Sequence, residues 1–456
     1  MLILESSLWN SLLENADMRT IILPDDVKLI ISIIEAAGFE AYAVGGCVRD
    51  SLLGREPNDW DITTNAKPGQ IKQLFHRTID TGIEHGTVSV LIHGETYEIT
   101  TYRIDGEYED SRHPKQVEFT TELVEDLKRR DFTINAMAYN EKTGVVDEFG
   151  GIDDLRNGII RCVGNPRERF DEDALRIMRA VRFAAQLGYD IEDNTKEAIA
   201  EFAVRLRNIS AERINVELTK LLVSSNPGYI RIAIETGIMD IILPEVSVLM
   251  DITQNNPHHC YTVGEHIIHS VENIESDKVL RYAMLFHDIG KGSTKYTTDD
   301  GIDHFRGHAL ISADMTKKIC QRLKFDNDTT AKVIKLVENH DLYVESDEKH
   351  VRRVMNRLGS DMFPMLLKVK RADFMAQSEY NRDEKQAEAD KLQRLYDEIV
   401  TRQDCVTIKD LAICGADLIK IGYEQGPLIG ETLNRLLDKV MDDPTLNTRE
   451  KLMELI

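Results

Sequence analysis

Residues 41–63 read AYAVGGCVRDSLLGREPNDWDIT. Ala41–Val44 is a short apolar strand; Gly45-Gly46 is a turn; a helix starts near Val48-Arg49-Asp50; a second turn at Pro57 leads to Asp59-Trp60-Asp61 on a second strand. Alternate residues of a strand share a face, so Asp59 and Asp61 project together and Trp60 projects the other way. Two carboxylates so close repel unless a cation lies between them. Hard oxygen donors of this kind suit Mg²⁺, which is commonly shared with substrate phosphates. A Gly-Gly turn opening a helix presents free backbone N–H groups to phosphate, and Arg49 adds a planar fork for phosphate oxygens. A bare Asp-X-Asp is most often a solvated turn. The whole order of strand, turn, helix, turn and strand points instead to a metal–nucleotide site.

The surrounding chain sets bounds. At 456 residues, two to four domains are expected. Hydrophobic residues make up 42% and charged residues 30%, which fits an extended, helix-rich, water-soluble protein. No apolar run is long enough for a membrane span, and the first twenty residues lack a basic start and a small-residue cleavage site. Six scattered cysteines without a Cys-X-X-Cys pair argue for a reducing cytoplasm. A net charge of −23 does not suggest a nucleic-acid binder, but recognition depends on local patches. One such patch runs from Arg156 to Arg182, with seven arginines against four acids.

Outward from the opening stretch, Asp25 to Gly38 reads as a helix. Thr87–Ile92 and Thr96–Tyr102 alternate apolar and polar around Gly94, a β-hairpin pattern. Glu98 on that hairpin is a candidate third carboxylate. Arg103 to Phe119 is polar, contains Gly106 and Pro114, and reads as a loop; Arg103, Asp105, Arg112 and His113 are its residues of interest. Ile159 to Leu187 passes from a strand-like start into one long helix, with Asp173 and Arg176 adjacent on one face. Asp accepts from an exocyclic amine and Arg donates to a ring nitrogen. Cytosine and adenine share that amine-beside-bare-nitrogen edge; uracil and guanine do not. Such a pair would accept C and A and leave unpaired groups against U and G.

Taken together, GGxVRDxLLGRxPxDxDI at 45–62, RRDFTxNA at 129–136 and EDxxR at 172–176 resemble the class II tRNA nucleotidyltransferases, the CCA-adding enzymes. These belong to the polymerase-β-like nucleotidyltransferase superfamily, which also holds bacterial poly(A) polymerases. The resemblance implies that Asp59 and Asp61 are catalytic and hold Mg²⁺. It implies that Gly46, Arg49, Arg130, Asp173, Arg176, Arg179 and Arg182 bind the nucleotide, and that Arg213 and Glu217 brace the neck. It also implies tRNA, CTP and ATP as partners, and the 103–119 loop as the feature of enzymes that add the terminal A.

Further on, histidines cluster. His266, His287-Asp288, His308 and His340-Asp341 form the H…HD…D pattern of an HD-type phosphohydrolase domain, and His266, His287, Asp288 and Asp341 are the expected ligands of a transition metal. The expected architecture is an α+β nucleotidyltransferase head with a small mixed or antiparallel sheet, followed by an all-α neck, HD body and tail. Its boundaries are an extension at 1–22, head 23–155, neck 156–250, HD domain 251–350 and tail 351–456. The expected function is template-independent addition of C and A to the tRNA 3′ end in the cytoplasm. The alternatives are addition of A alone, poly(A) synthesis, or an HD phosphohydrolase with an RNA-binding head. Oligomeric state is left open.

Overall fold

A computed structural model describes residues 20–105 and 117–456. The chain divides into two compact units meeting at Ile242–Leu243.

The first unit is built on a seven-stranded mixed sheet. Its strands are β1 (Ala41–Val44), β2 (Ile62–Thr64), β3 (Thr78–Gly82), β4 (Thr87–Ile92), β5 (Glu95–Thr101), β8 (Ala138–Asn140) and β9 (Gly144–Val146), in the order β3-β4-β5-β2-β1-β8-β9. Every neighbouring pair is antiparallel except β2 with β5, which run parallel with Ile62 opposite Ile99. The apolar positions at Ala41, Ala43, Val44, Ile62, Val88, Val90 and Ile99 are buried, and the Asp25–Ala36 helix buries Val27, Ile30, Ile31 and Ile34. The β4–β5 hairpin closes through His93-Gly94, both at positive φ (49° and 96°). This two-residue turn has the twist that antiparallel strands favour. The His93 ring is fixed 2.7 Å from Asp26.

Three details depart from expectation. Asp59-Trp60-Asp61 forms an extended lead-in to β2 and lies outside the strand; the Asp61 carbonyl nevertheless accepts from Val44 N (3.0 Å). The ends of the expected 103–119 loop pair as a short antiparallel ladder, β6 (Arg103–Asp105) with β7 (Val117–Phe119). Arg112 and His113 lie outside the described residues. The strand-like start expected at Ile159 is the short strand Ile159–Ile160, but the one long helix expected after it is broken into Pro166–Glu172 and Leu175–Leu187. The break falls at Asp173, in an extended conformation, whose carboxylate accepts from Leu175 N (3.0 Å) and so competes with helix continuation.

The second unit is helical apart from a two-stranded pair at Tyr296–Thr297 and Asp303–His304. Helices Val263–Glu272, Lys278–Phe286, His308–Arg322, Asn327–Asn339 and Met362–Met375 pack together. Thr262, Asp277 and Asp326 cap three of them through their side chains. A second core joins Val351, Met355, Phe363, Leu367, Leu392 and Ile399, and a third joins Leu418, Leu433, Leu436, Val440 and Leu452.

Candidate functional site

β1 ends at Gly45, whose φ of +82° caps the Gly46–Leu52 helix. A Cβ built on Gly45 would lie 2.9 Å from Arg130 Nη1, so the bare backbone lets that guanidinium lie against the turn. Arg49 is buttressed on two sides. Its Nε and Nη2 donate to Asp50 (2.9 Å each), and its Nη1 donates to Asn135 Oδ1 (2.6 Å).

The parallel register of β2 and β5 decides the carboxylates. Asp61 precedes Ile62 and Glu98 precedes its partner Ile99, so the two sit at one level on neighbouring chains. Partial enclosure raises the Asp61 carboxyl above its usual range; Arg130 opposes this, while Asp59 and Glu98 add to it. Three acids thus share one field, and crowded oxygen donors of this sort fit Mg²⁺. Arg130 is held from behind by Asp126, which is fully buried and also receives both Arg129 donors (2.9 and 2.7 Å) and Thr63 Oγ1 (3.2 Å). Burial pushes the Asp126 carboxyl up, but Arg129 and Arg130 outweigh it and hold it below the usual range.

Arg129, Arg130, Asp131, Asp173, Leu175, Arg176, Arg179 and Arg213 line an open pocket of about 270 Å³. Asp173 Oδ2 receives Arg213 Nη2 (2.8 Å), which leaves the carboxylate with further acceptor capacity. Arg176 is nearly buried and is fixed by Glu172 (2.5 Å) and by the carbonyls of Arg169 (3.1 Å) and Arg129 (3.0 Å). Asp173 therefore stands at a helix break beside Arg176 and does not share its helical face. Arg179 donates to Asp131 Oδ2 (2.8 Å), while Asp131 Oδ1 accepts from Asn135 Nδ2 (3.0 Å). Arg49, Asn135, Asp131 and Arg179 thus form one chain of hydrogen bonds from the Gly-Gly helix to the pocket. Phe183 anchors it: Arg49, Arg179 and Arg182 stand 5.1, 5.3 and 3.6 Å from its ring centroid.

Arg182 does not line the pocket. It is buried, donates to Glu217 (2.8 Å) and Gln186 (3.0 Å), and supports the helix from within. Asn135, structural by its place in the RRDFTxNA motif, braces Arg49 here, while nothing in the sequence singles out Asp131 inside the same motif. Arg103 donates to the His85 carbonyl, away from the pocket residues. The backbone of Asp105 pairs with Val117.

In the second unit His266, His287 and Asp288 come together as expected from the motif. Asp341 does not join them; it is exposed at the mouth of the pocket. The carboxylate that meets His266, at 3.0 Å, is Asp373. The Asn327–Asn339 helix ends at His340, which points inward, and the next residue is left outside. Asp373 lies on the Met362–Met375 helix with no histidine beside it in the sequence, so no motif marked it.

Residues 41–161 match the poly(A) polymerase head domain, residues 188–250 match a region described as "Probable RNA and SrmB- binding site of polymerase A", and residues 308–456 match tRNA nucleotidyltransferase domain 2. The chain is 58% identical over 200 residues to the CCA-adding enzyme of Lactiplantibacillus plantarum, covering 44% of this chain and 49% of that protein. It is 46% identical over 244 residues to the CCA-adding enzyme of Leuconostoc mesenteroides, covering 52% of this chain and 61% of that one. Over 95% of its length it superposes on 98% of the Bacillus stearothermophilus CCA-adding enzyme solved with CTP, with a TM-score of 0.71 and 29% identity. The fold is also that of the Thermotoga maritima CCA-adding enzyme complexed with tRNA_CCA, which covers 96% of each chain at a TM-score of 0.60 and 21% identity. Among the described residues no helix is long and apolar enough to cross a membrane. The glycine turn and the carboxylates fall within the matched head domain, and the chain, which spans about half the length of the curated relatives it matches, is similar to the CCA-adding tRNA nucleotidyltransferases.

Proposed function

We propose that the first unit adds C and A to the 3′ end of tRNA from CTP and ATP without a nucleic-acid template. The 3′-hydroxyl oxygen attacks the α-phosphorus, the bond to the β-phosphate oxygen breaks, and pyrophosphate leaves. Asp59 and Asp61, with Glu98 beside them, would hold Mg²⁺, which supplies charge neutralisation at the phosphates and acidifies the hydroxyl. Gly46 and Arg49 hold the triphosphate at the helix start. Arg130 lies between the carboxylates and the pocket and meets the α-phosphate side. Asp173 and Arg176 read the base edge, and Arg179 positions the nucleotide from the Asp131 side. Arg182 acts through Glu217 and Phe183 as a positioning residue.

The observation that carries this reading is the convergence of Arg130, Asp173, Arg176 and Arg179 on one pocket, with Arg130 also in the field of Asp61. The test uses purified chain, Mg²⁺, CTP and ATP with three tRNA transcripts, ending before CCA, in C and in CC, resolved to single nucleotides. All three reach CCA and stop if the reading holds. A single A on the CC-ending transcript alone restricts the activity to A addition. A long A ladder indicates poly(A) synthesis, and no extension at all refutes transfer.

A further inference from the structure

The Leu123–Lys128 helix leads into the Arg129-Arg130 pair, and the carbonyls at its end have no partners within the helix. Two guanidiniums from the following neck take up these carbonyls in order. Arg169 Nη1 donates to the Lys128 carbonyl (3.2 Å), and Arg176 Nη2 donates to the Arg129 carbonyl (3.0 Å). Cations are favoured there by the partial negative charge of a helix C-terminus. Glu172 lies between the two arginines: its Oε1 accepts from Arg169 Nη2, and its Oε2 accepts from Arg176 Nη1 (2.5 Å).

Arg169 also meets both Asp173 and Arg176 through its backbone. Its carbonyl accepts from Asp173 N (3.3 Å), in the last turn of the Pro166–Glu172 helix, and from Arg176 Nη1 (3.1 Å). Asp173 and Arg176 line the arginine-rich pocket; Arg169 and Glu172 stand behind it and do not. Both N–H groups of Arg176 Nη1 are thereby engaged, one by Glu172 and one by the Arg169 carbonyl, so a base edge meets that guanidinium from another side. Arg169 Nε is buried and has no hydrogen-bond acceptor. An unpaired interior donor disfavours folding, so stability alone does not account for this side chain.

We propose that Arg169 is a specificity-determining positioning residue: through Glu172 and its own carbonyl it fixes the side of Arg176 that meets the incoming base. The inference rests on the reading of Asp173 and Arg176 as the pair that recognises the base. A guanidinium held in one orientation keeps an N–H against one ring position. Cytosine and adenine carry an unprotonated nitrogen there; uracil and guanine carry an N–H, and two donors facing each other are rejected. Without the Arg169 side chain Glu172 loses one of its two anchors, and Arg176 is free to turn its fork towards the carbonyl that uracil and guanine present beside that N–H. Rejection of U and G then weakens, while acceptance of C and A changes less. A residue that only supported the fold would lower the use of all four nucleotides alike.

The test compares kcat/KM for single additions of CTP, ATP, UTP and GTP by the full chain, by Arg169→Ala and by Arg169→Lys, on tRNA transcripts ending before CCA and in CC. Arg169→Ala is expected to lower the preference for CTP over UTP, and for ATP over GTP, by about tenfold, the effect of one charge-assisted hydrogen bond. Lysine keeps the charge and loses the planar fork, so Arg169→Lys is expected to lose preference in the same direction, and it decides the matter if circular dichroism shows the alanine variant unfolded. Because the side chain acts through Glu172, adding Arg169→Ala to Glu172→Ala should lower the preference little further, and full additivity overturns the inference. A folded variant that keeps the wild-type ratios, or that loses all four nucleotides by one factor, overturns it as well and leaves the proposed function standing. A wild-type chain that extends no transcript refutes that function and this inference with it.

Discussion

Replacing Asp131 by Asn tests whether the pocket is pre-organised by the network behind it. Asp131 is nearly buried and accepts from Phe132 N (2.8 Å), Asn135 (3.0 Å) and Arg179 (2.8 Å). Burial alone would raise its carboxyl; Arg179 and Asn135 more than reverse that and hold it well below the carboxylate range. Removing one partner of a buried ion pair costs about 3–5 kcal/mol. The Arg179 side chain is 34% exposed, so water repays part of the loss. A net destabilisation of about 2–3 kcal/mol is expected after that screening. The sign with pH follows from the depressed folded value. The stabilisation is complete above the unfolded carboxyl value near ~4 and is lost as pH falls through the folded value. The gap between wild type and Asp131→Asn is therefore flat from about pH 8 to pH 5 and narrows below about pH 4. Trp60 lies in the first unit and no tryptophan follows it in the sequence, so the change in its fluorescence during urea unfolding reads the first unit. KM for CTP and ATP should rise together, since Asp131 braces Arg179 and selects no base. A loss under about 0.5 kcal/mol, the level of an ordinary surface substitution, or a gap unchanged at pH 3, would refute the reasoning.

Other substitutions probe neighbouring parts of the site. Asp61 has a raised carboxyl, so its ionised form is disfavoured in the fold; the penalty is absent below the unfolded value near ~4 and grows as pH rises through the folded one. Without metal, Asp61→Asn should raise the fluorescence-detected melting temperature at pH 7, the gain should vanish below about pH 4 and on adding Mg²⁺, and transfer should be abolished. Asp173→Asn should lower CTP and ATP incorporation by tenfold or more, about the worth of one charged hydrogen bond, and narrow discrimination against UTP and GTP in competition assays. Gly45→Ala forces a side chain into a left-handed turn against Arg130; a stability loss of about 1–2 kcal/mol with a larger loss of transfer is expected, and a fully active variant would show that Arg130 need not lie there.

The head was legible because its chemistry is local. A short strand, a glycine pair and two acids within 21 residues fix their own juxtaposition, and 129–136 returns to the same turn as one motif. What the sequence concealed depends on tertiary placement. Arginines at every third position of the Leu175–Leu187 helix look equivalent, yet Arg176 and Arg179 line the pocket while Arg182 faces buried Glu217. Asp173 looks like a helical residue, but its side chain satisfies Leu175 N and ends one helix before the next begins. Asp341 sits next to a histidine and Asp373 does not; only the packing of the Met362–Met375 helix brings the second one in. β3 was missed because it is a mostly exposed edge strand with a polar sequence, TIDTG.

The β4–β5 turn has a reach beyond its two residues. Glu98 lies four residues past Gly94, about 14 Å along an antiparallel strand, and its side of the sheet is dictated by how His93-Gly94 sets the pairing of Ile92 with Glu95. One residue inserted there would slip the ladder and turn Glu98 to the opposite face, without touching any acid near the nucleotide. A residue added to most surface connections of this sheet would leave the site's acids where they are, while this small exposed corner is held to a two-residue length by a carboxylate it never meets.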